Sequence, residues 1–143
     1  MSRNLLCSVF LVFCCSVNSQ IIREKDKYGE ELFFVDNQSL RNENKYGARL
    51  LFWDGRNIRK KDRFGARLFY LEGNSVRKEN QYGERIYFFD GYTIKSKNRF
   101  GKKLYFLDGR VLRRENRYGE AVYFFEGIPN RWVLVAVISF IKY

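Results

Sequence analysis

The strongest constraint on this chain is a repeat. An eighteen-residue unit, clearest as SLRNENKYGARLLFWDGR from Ser39 to Arg56, is written six times. The copies begin at Ile21, Ser39, Asn57, Ser75, Thr93 and Val111, and together they run to Ile128 without a gap. Any reading of the fold must therefore relate six near-identical local structures by a regular operation.

Two turns are legible in each unit. The first is DKYG at Asp26, NKYG at Asn44, DRFG at Asp62, NQYG at Asn80, NRFG at Asn98 and NRYG at Asn116. Asp or Asn opens such a turn with its side chain, and Gly is expected to close it at positive φ. The second is Asp-Gly or Glu-Gly, at Asp54, Glu72, Asp90, Asp108 and Glu126, with Asp36-Asn37 in the first copy. Asp-Gly between strand-like runs signals a tight hairpin, and Asn is the next-best residue at positive φ. All eleven glycines fall in these two columns.

Between the turns lie two short strands. One is polar with a single apolar residue, as at Leu40. The other ends in four apolar residues: LFFV from Leu32, LLFW from Leu50, LFYL from Leu68, IYFF from Ile86, LYFL from Leu104 and VYFF from Val122. Bulk on both faces predicts a strand with a central core on one side and a neighbouring hairpin on the other. The expected fold is all-β: six hairpins arranged as petals about a central core. A β-solenoid is the alternative, because Ile22, Tyr28, Phe34, Leu40, Tyr46 and Phe52 are spaced by six. Against it, Asp-Gly pairs reverse the chain, whereas solenoid corners bend it.

Three further columns carry charge or bulk. The residue before each turn Asn or Asp alternates in sign: Lys25, Glu43, Lys61, Glu79, Lys97, Glu115. Side-by-side hairpins would set Lys against Glu, and reversing Glu79 should then destabilise the fold. The last apolar position alternates in size: Trp53, Leu71, Phe89, Leu107, Phe125. A third column is basic throughout: Arg23, Arg41, Arg59, Arg77, Lys95 and Arg113. It would form a ring or ladder, either neutralised by the acidic column Asp36, Asp54, Glu72, Asp90, Asp108 and Glu126 or open to a polyanion.

The ends differ from the repeats. Arg3 followed by an apolar run from Leu5 to Cys15, with small Val17 and Ser19, reads as a secretory signal (residues 1–19) cut between Ser19 and Gln20. That cut would remove all three cysteines, Cys7, Cys14 and Cys15. It would leave 20–143 as a single β-repeat domain with no transmembrane segment, secreted or held in the periplasm or cell envelope. After Pro129, the run WVLVAVISFI from Trp132 to Ile141 is too short to span a bilayer. Its Val and Ile content predicts a closing strand over 132–141, which covers the edge the repeats leave open.

The units NKYGARLLFWDG, NQYGERIYFFDG and NRYGEAVYFFEG, with the tail GIPNRWV, resemble the bacterial family called 4-fold beta flower proteins. The resemblance spans nearly all of the chain after Ser19. It implies hairpin petals about an axis and an exported bacterial protein. It brings no catalytic residues, cofactor or activity, and with six copies here the symmetry of the array stays open.

Chemistry narrows the function classes. The chain has no histidine, and the exported part would have no cysteine, so Ser-His, Cys-His and His- or Cys-bound zinc arrangements are excluded. DxDxDG spacing is missing, so no calcium site is expected. Nearly every carboxylate occupies a repeat column, which leaves no unique acid for hydrolysis. No cofactor or metal is expected. Without Arg3 the chain carries 26 basic against 16 acidic residues. That balance favours anionic partners, and export argues against nucleic acid. The expected function is a non-enzymatic structural or protein-interaction module. The alternative is a glycan- or polyanion-binding module, using the basic ladder for an anionic glycan. Tyr28, Tyr46, Tyr82 and Tyr118 would then stack on sugars, unless they pack over their own turns.

Overall fold

A computed structural model describes residues 19–141. Twelve antiparallel strands form one closed barrel: β1 (Ser19–Glu24), β2 (Glu31–Asp36), β3 (Ser39–Asn42), β4 (Arg49–Asp54), β5 (Asn57–Lys60), β6 (Arg67–Glu72), β7 (Ser75–Lys78), β8 (Arg85–Asp90), β9 (Thr93–Ser96), β10 (Lys103–Asp108), β11 (Val111–Arg114) and β12 (Ala121–Phe125). Each strand pairs with its sequence neighbours, and β12 returns to β1 through Ile22 opposite Phe125. The hairpin array holds and the solenoid does not. The hairpins lie side by side as one wall, with turns at two rims. The expected export signal lies outside the described residues, except that Ser19 and Gln20 open β1.

Along the six-residue strands, inward and outward side chains alternate. In β4, Leu51 and Trp53 are buried while Leu50 and Phe52 are half-buried. The outer face is therefore not covered by a second hairpin. Its aromatics stand beside the stems of the basic column, Phe52 opposite Arg59 and Tyr70 opposite Arg77. Long basic side chains shield apolar surface in this way while their heads stay polar.

The two turns behave differently. In the five Gly-bearing or Asn-bearing loops between β2 and β11, the first loop residue has positive φ: 57° at Asn37, 63° at Gly55, 59° at Gly73, and 63° at Gly91 and Gly109. That is the demand expected of a two-residue hairpin loop. In the NxYG turns the left-handed residue is instead the charged one before the Asn or Asp, from Lys25 at 60° to Lys61 at 70°. The Gly of these turns is needed for space. A Cβ on Gly83 would stand 1.8 Å from the carbonyl oxygen of Lys78, and the other five meet the same wall at 1.6–1.7 Å. The Asn or Asp does cap the turn: Tyr82 N–H donates to Asn80 Oδ1 at 2.9 Å. No ion pair within 4.0 Å joins the alternating charges among the described residues. Their backbone N–H groups instead bind the adjacent hairpin, as Glu79 N–H to Leu68 O at 3.0 Å.

The expected closing strand is a helix, α1 (Arg131–Ile138). Six consecutive residues, Val133 to Ile138, are buried. At about 100° per residue they cover every side of the helix, so it is enclosed all round, and the only sheet able to enclose it is the barrel. Arg131 Nη1 donates to Gly73 O at the Asp-Gly rim, Tyr123 O–H donates to Val137 O at 3.1 Å, and the Phe140 ring lies 5.3 Å from that of Phe33. The helix thus enters from the Asp-Gly rim and runs down the lumen. β1 already pairs with β12, so no edge awaits another strand. A strand inside the lumen would leave its backbone N–H and C=O groups unpaired, whereas a helix satisfies them internally. Asn130 starts it by accepting from Val133 N–H at 3.0 Å. No helix among the described residues is long and apolar enough to cross a membrane. The strands, at four to six residues, are shorter than the roughly 9–11 of a bilayer-spanning strand.

Candidate anion-binding wall

The basic column forms a ring on the outer face, one residue on each odd-numbered strand from β1 to β11. Its members tie the wall to the turns. Arg23, Arg41, Arg59, Arg77 and Arg113 each donate from Nη1 to the carbonyl of the Gly six residues on, at 3.0–3.3 Å, and Lys95 Nζ donates to Arg99 O at 2.9 Å. Pairing with the acidic column occurs in four copies: Arg41–Asp36 at 3.1 Å, Lys95–Asp90 at 2.9 Å, Arg113–Asp108 at 3.4 Å and, across the chain-end seam, Arg23–Glu126 at 3.7 Å. Arg59 and Arg77 have no such partner among the described residues, and their Nε atoms are buried without a hydrogen bond.

A second cationic column stands beside the first. The opening residue of each even-numbered strand lies directly opposite the ring: Glu31 facing Arg23, Arg49 facing Arg41, Arg67 facing Arg59, Arg85 facing Arg77, Lys103 facing Lys95, and Ala121 facing Arg113. In the first hairpin the pairing is favourable, with Glu31 3.6 Å from Arg23. From β3 to β10 it is cation against cation four times running. Each of these four pairs lies at a β-bulge, where the register shifts, and Arg49, Arg67, Arg85 and Lys103 are all exposed. On this arc the second column adds four exposed cations, while Arg41 and Lys95 of the first are paired with Asp36 and Asp90.

The NxYG rim adds aromatic surface. Tyr28, Tyr46, Tyr82 and Tyr118 are 84–88% exposed, and Phe64 and Phe100 match them at 88% and 84%. They do not pack over their own turns. Cations sit beside four of these rings: Lys27 at 5.1 Å from the Tyr28 centroid, Lys45 at 5.2 Å from Tyr46, Arg63 at 5.9 Å from Phe64 and Arg99 at 5.0 Å from Phe100.

Wall and rim meet in clefts that recur with the repeat. One of 240 Å³ is lined by Asn57, Arg67, Tyr70, Asn80, Gln81 and Tyr82. Its counterparts eighteen residues on, and eighteen beyond that, have volumes of 440 and 320 Å³. Tyr70 of the first cleft accepts at its hydroxyl from Arg56 Nη1 at 3.4 Å, a bond that raises the pKa of the guanidinium above its ordinary value. The other perturbed group is remote from this surface: burial pushes the Tyr123 hydroxyl up to about 12.

The basic ring and the turn tyrosines were thus readable as columns, but not which ring cations are already engaged. The column of Arg49, Arg67, Arg85 and Lys103 was missed. Its signal was present, a position basic in the four middle copies and not in the outer two, but its meaning depends on the register that sets it against the first column. Among the described residues no group of His, Cys, Asp or Glu is placed to hold a metal ion. Compared with protein-family models, curated proteins and solved structures, the chain matches none.

Proposed function

We propose that this is an exported, non-enzymatic binding module whose partner is an acidic glycan or similar anionic polymer of the cell envelope. The observation that carries the reading is the run of four like-charge pairs on the outer wall from β3 to β10. A chain that needed only a barrel would profit from alternating signs there, as the Arg23–Glu31 pair of the first hairpin illustrates. Exposed aromatic rings on the adjoining rim suit the apolar faces of sugar rings. The kinship with beta flower proteins suggested by the turn signatures fits the same reading, since it implies an exported hairpin array without catalytic residues.

The test is a binding titration of the purified protein against a long-chain polyuronate and a neutral polysaccharide of similar length, at low and high salt. Salt-sensitive retention of the polyuronate is expected, because screening weakens contacts between exposed charges. Equal binding of both polymers, or of neither, would overturn the polyanion reading. A second reading, a protein-interaction module, is favoured by the rim alone. Six exposed aromatic side chains on one end of a barrel match the composition of interface anchors. Retention of an envelope protein at high salt, lost when Tyr46, Tyr82 and Tyr118 become Ser together, would support it.

A further inference from the structure

We propose that the three wall clefts, at three of the six repeat positions, are complete sites, each taking one acidic sugar residue. This rests on the polyanion reading and names its unit. Each of the three has an aromatic side chain on the wall, a cation at the foot of the same strand and a turn from the next hairpin closing the far side. The set is Tyr70, Arg67 and Asn80-Gln81-Tyr82 in the first, and Phe88, Arg85 and Asn98-Arg99-Phe100 in the second. In the third it is Phe106, Lys103 and Asn116-Arg117-Tyr118, with Glu115 also on the lining and Arg117 stacked 5.9 Å from the Phe106 ring.

The chemistry fits a ring that is apolar on its faces, hydroxylated at its edge and charged at one point. Two aromatic groups flank each cleft. The Arg or Lys meets the anion. In each cleft the turn Asn has its Oδ1 committed to the backbone N–H two residues on, at 2.8–2.9 Å, so its NH₂ group is the end that can donate to a ligand hydroxyl. Asn57, Ser75 and Thr93 add a polar group from the neighbouring strand. Volumes of 240–440 Å³ suit one hexose-sized group rather than a folded chain. Nucleic acid fits less well. Successive clefts are two strands apart, about 9.6 Å or more, whereas the phosphates of one strand of a duplex are spaced ~3.4 Å along the helix axis.

The repeat also says why the other three positions fall short. The copy starting at Ser39 has Arg49, Phe52, Arg63 and Phe64 in the same places, but its turn opens with Asp62, which takes the place of the amide donor itself; Glu115 of the third cleft sits one residue earlier and leaves Asn116 in place. The copy starting at Ile21 has Glu31 in place of the cation, and that carboxylate is held by Arg23. The copy starting at Val111 has Ala121 there, and across the seam its turn opens with Asp26.

The experiment counts sites. The purified protein is titrated with digalacturonate, bound molecules are counted by native mass spectrometry, and the uncharged galactose disaccharide serves as control. Three molecules are expected at saturation. Arg85→Gln should lower the number to two. Asp62→Asn, which keeps the turn's capping oxygen, should raise it to four. The galactose disaccharide should not bind at these sites. A count of one, or a count unmoved by both substitutions, would overturn the cleft assignment. If long polyuronate still bound in a salt-sensitive way, the polyanion reading would survive that result. Loss of both kinds of binding would overturn the two together.

Discussion

Gly83 and Glu79 sit four residues apart in one turn, and their roles are the reverse of what residue type suggests. Glu79 takes a φ of +61°, the conformation usually left to Gly. Gly83 lacks that φ but has a backbone oxygen 1.8 Å from where its Cβ would be. Left-handed φ costs an ordinary residue about 1–2 kcal/mol, and six copies bear it because each frees a backbone N–H to bind the adjacent hairpin. Gly83→Ala is therefore expected to lower stability by about 1–3 kcal/mol. Glu79→Lys should change it by less than about 0.5 kcal/mol, since no ion pair is lost. Paired urea melts check this; a larger loss for Glu79→Lys would restore the charge-pairing idea that its alternating column suggests.

At the scale of the element, α1 and the wall depend on one another. The helix brings β-branched residues, poor helix formers, into an apolar lumen where only a helix can satisfy its own backbone. The wall brings Tyr123, whose hydroxyl donates to Val137 O at 3.1 Å. Burial raises that hydroxyl from 10.0 to about 12, so the folded protein holds its proton where the unfolded chain releases it. The stabilisation is then whole below pH 10 and is lost as pH rises from about 10 toward 12. Tyr123→Phe should cost roughly 0.5–1.5 kcal/mol at neutral pH for the lost hydrogen bond. It should also flatten the alkaline limb of the stability profile relative to the parent. Equal alkaline slopes for the two proteins would show that Tyr123 titrates as freely as in the unfolded chain.

For the whole molecule, closure is the governing fact. Twelve strands leave room for one helix, and the diameter of a barrel grows roughly linearly with strand number. Six repeats are therefore matched to the helix that follows them. Deleting one repeat, residues 57–74, removes two strands and should leave a ring too narrow for α1. The shortened chain is expected to lose cooperative thermal unfolding and to expose apolar surface to a hydrophobic dye. Cooperative unfolding at an unchanged midpoint would mean the helix is not what fills the barrel. Closure also creates the seam between β12 and β1, and the seam is where the outer wall changes character. Glu31 and Ala121 flank it, and the cationic pairs run only through the strands away from it.

The repeat, its two turns and the all-β class were legible because they rest on local rules: Asp-Gly loops, Asx caps and apolar runs that act within a few residues of chain. The basic ring was legible as a column for the same reason. Three things were not. The apolar tail looks like a strand by composition, and only the pairing of β1 with β12, which removes the edge it would have joined, makes it a helix. The Gly of each NxYG turn looks like a φ requirement, and only the folded turn brings the carbonyl five residues back against it. The second cationic column means little until cross-strand register sets it beside the first. Each of these depends on atoms far apart in the chain or on a turn already closed, so each belongs to the tertiary structure and not to any local stretch of residues.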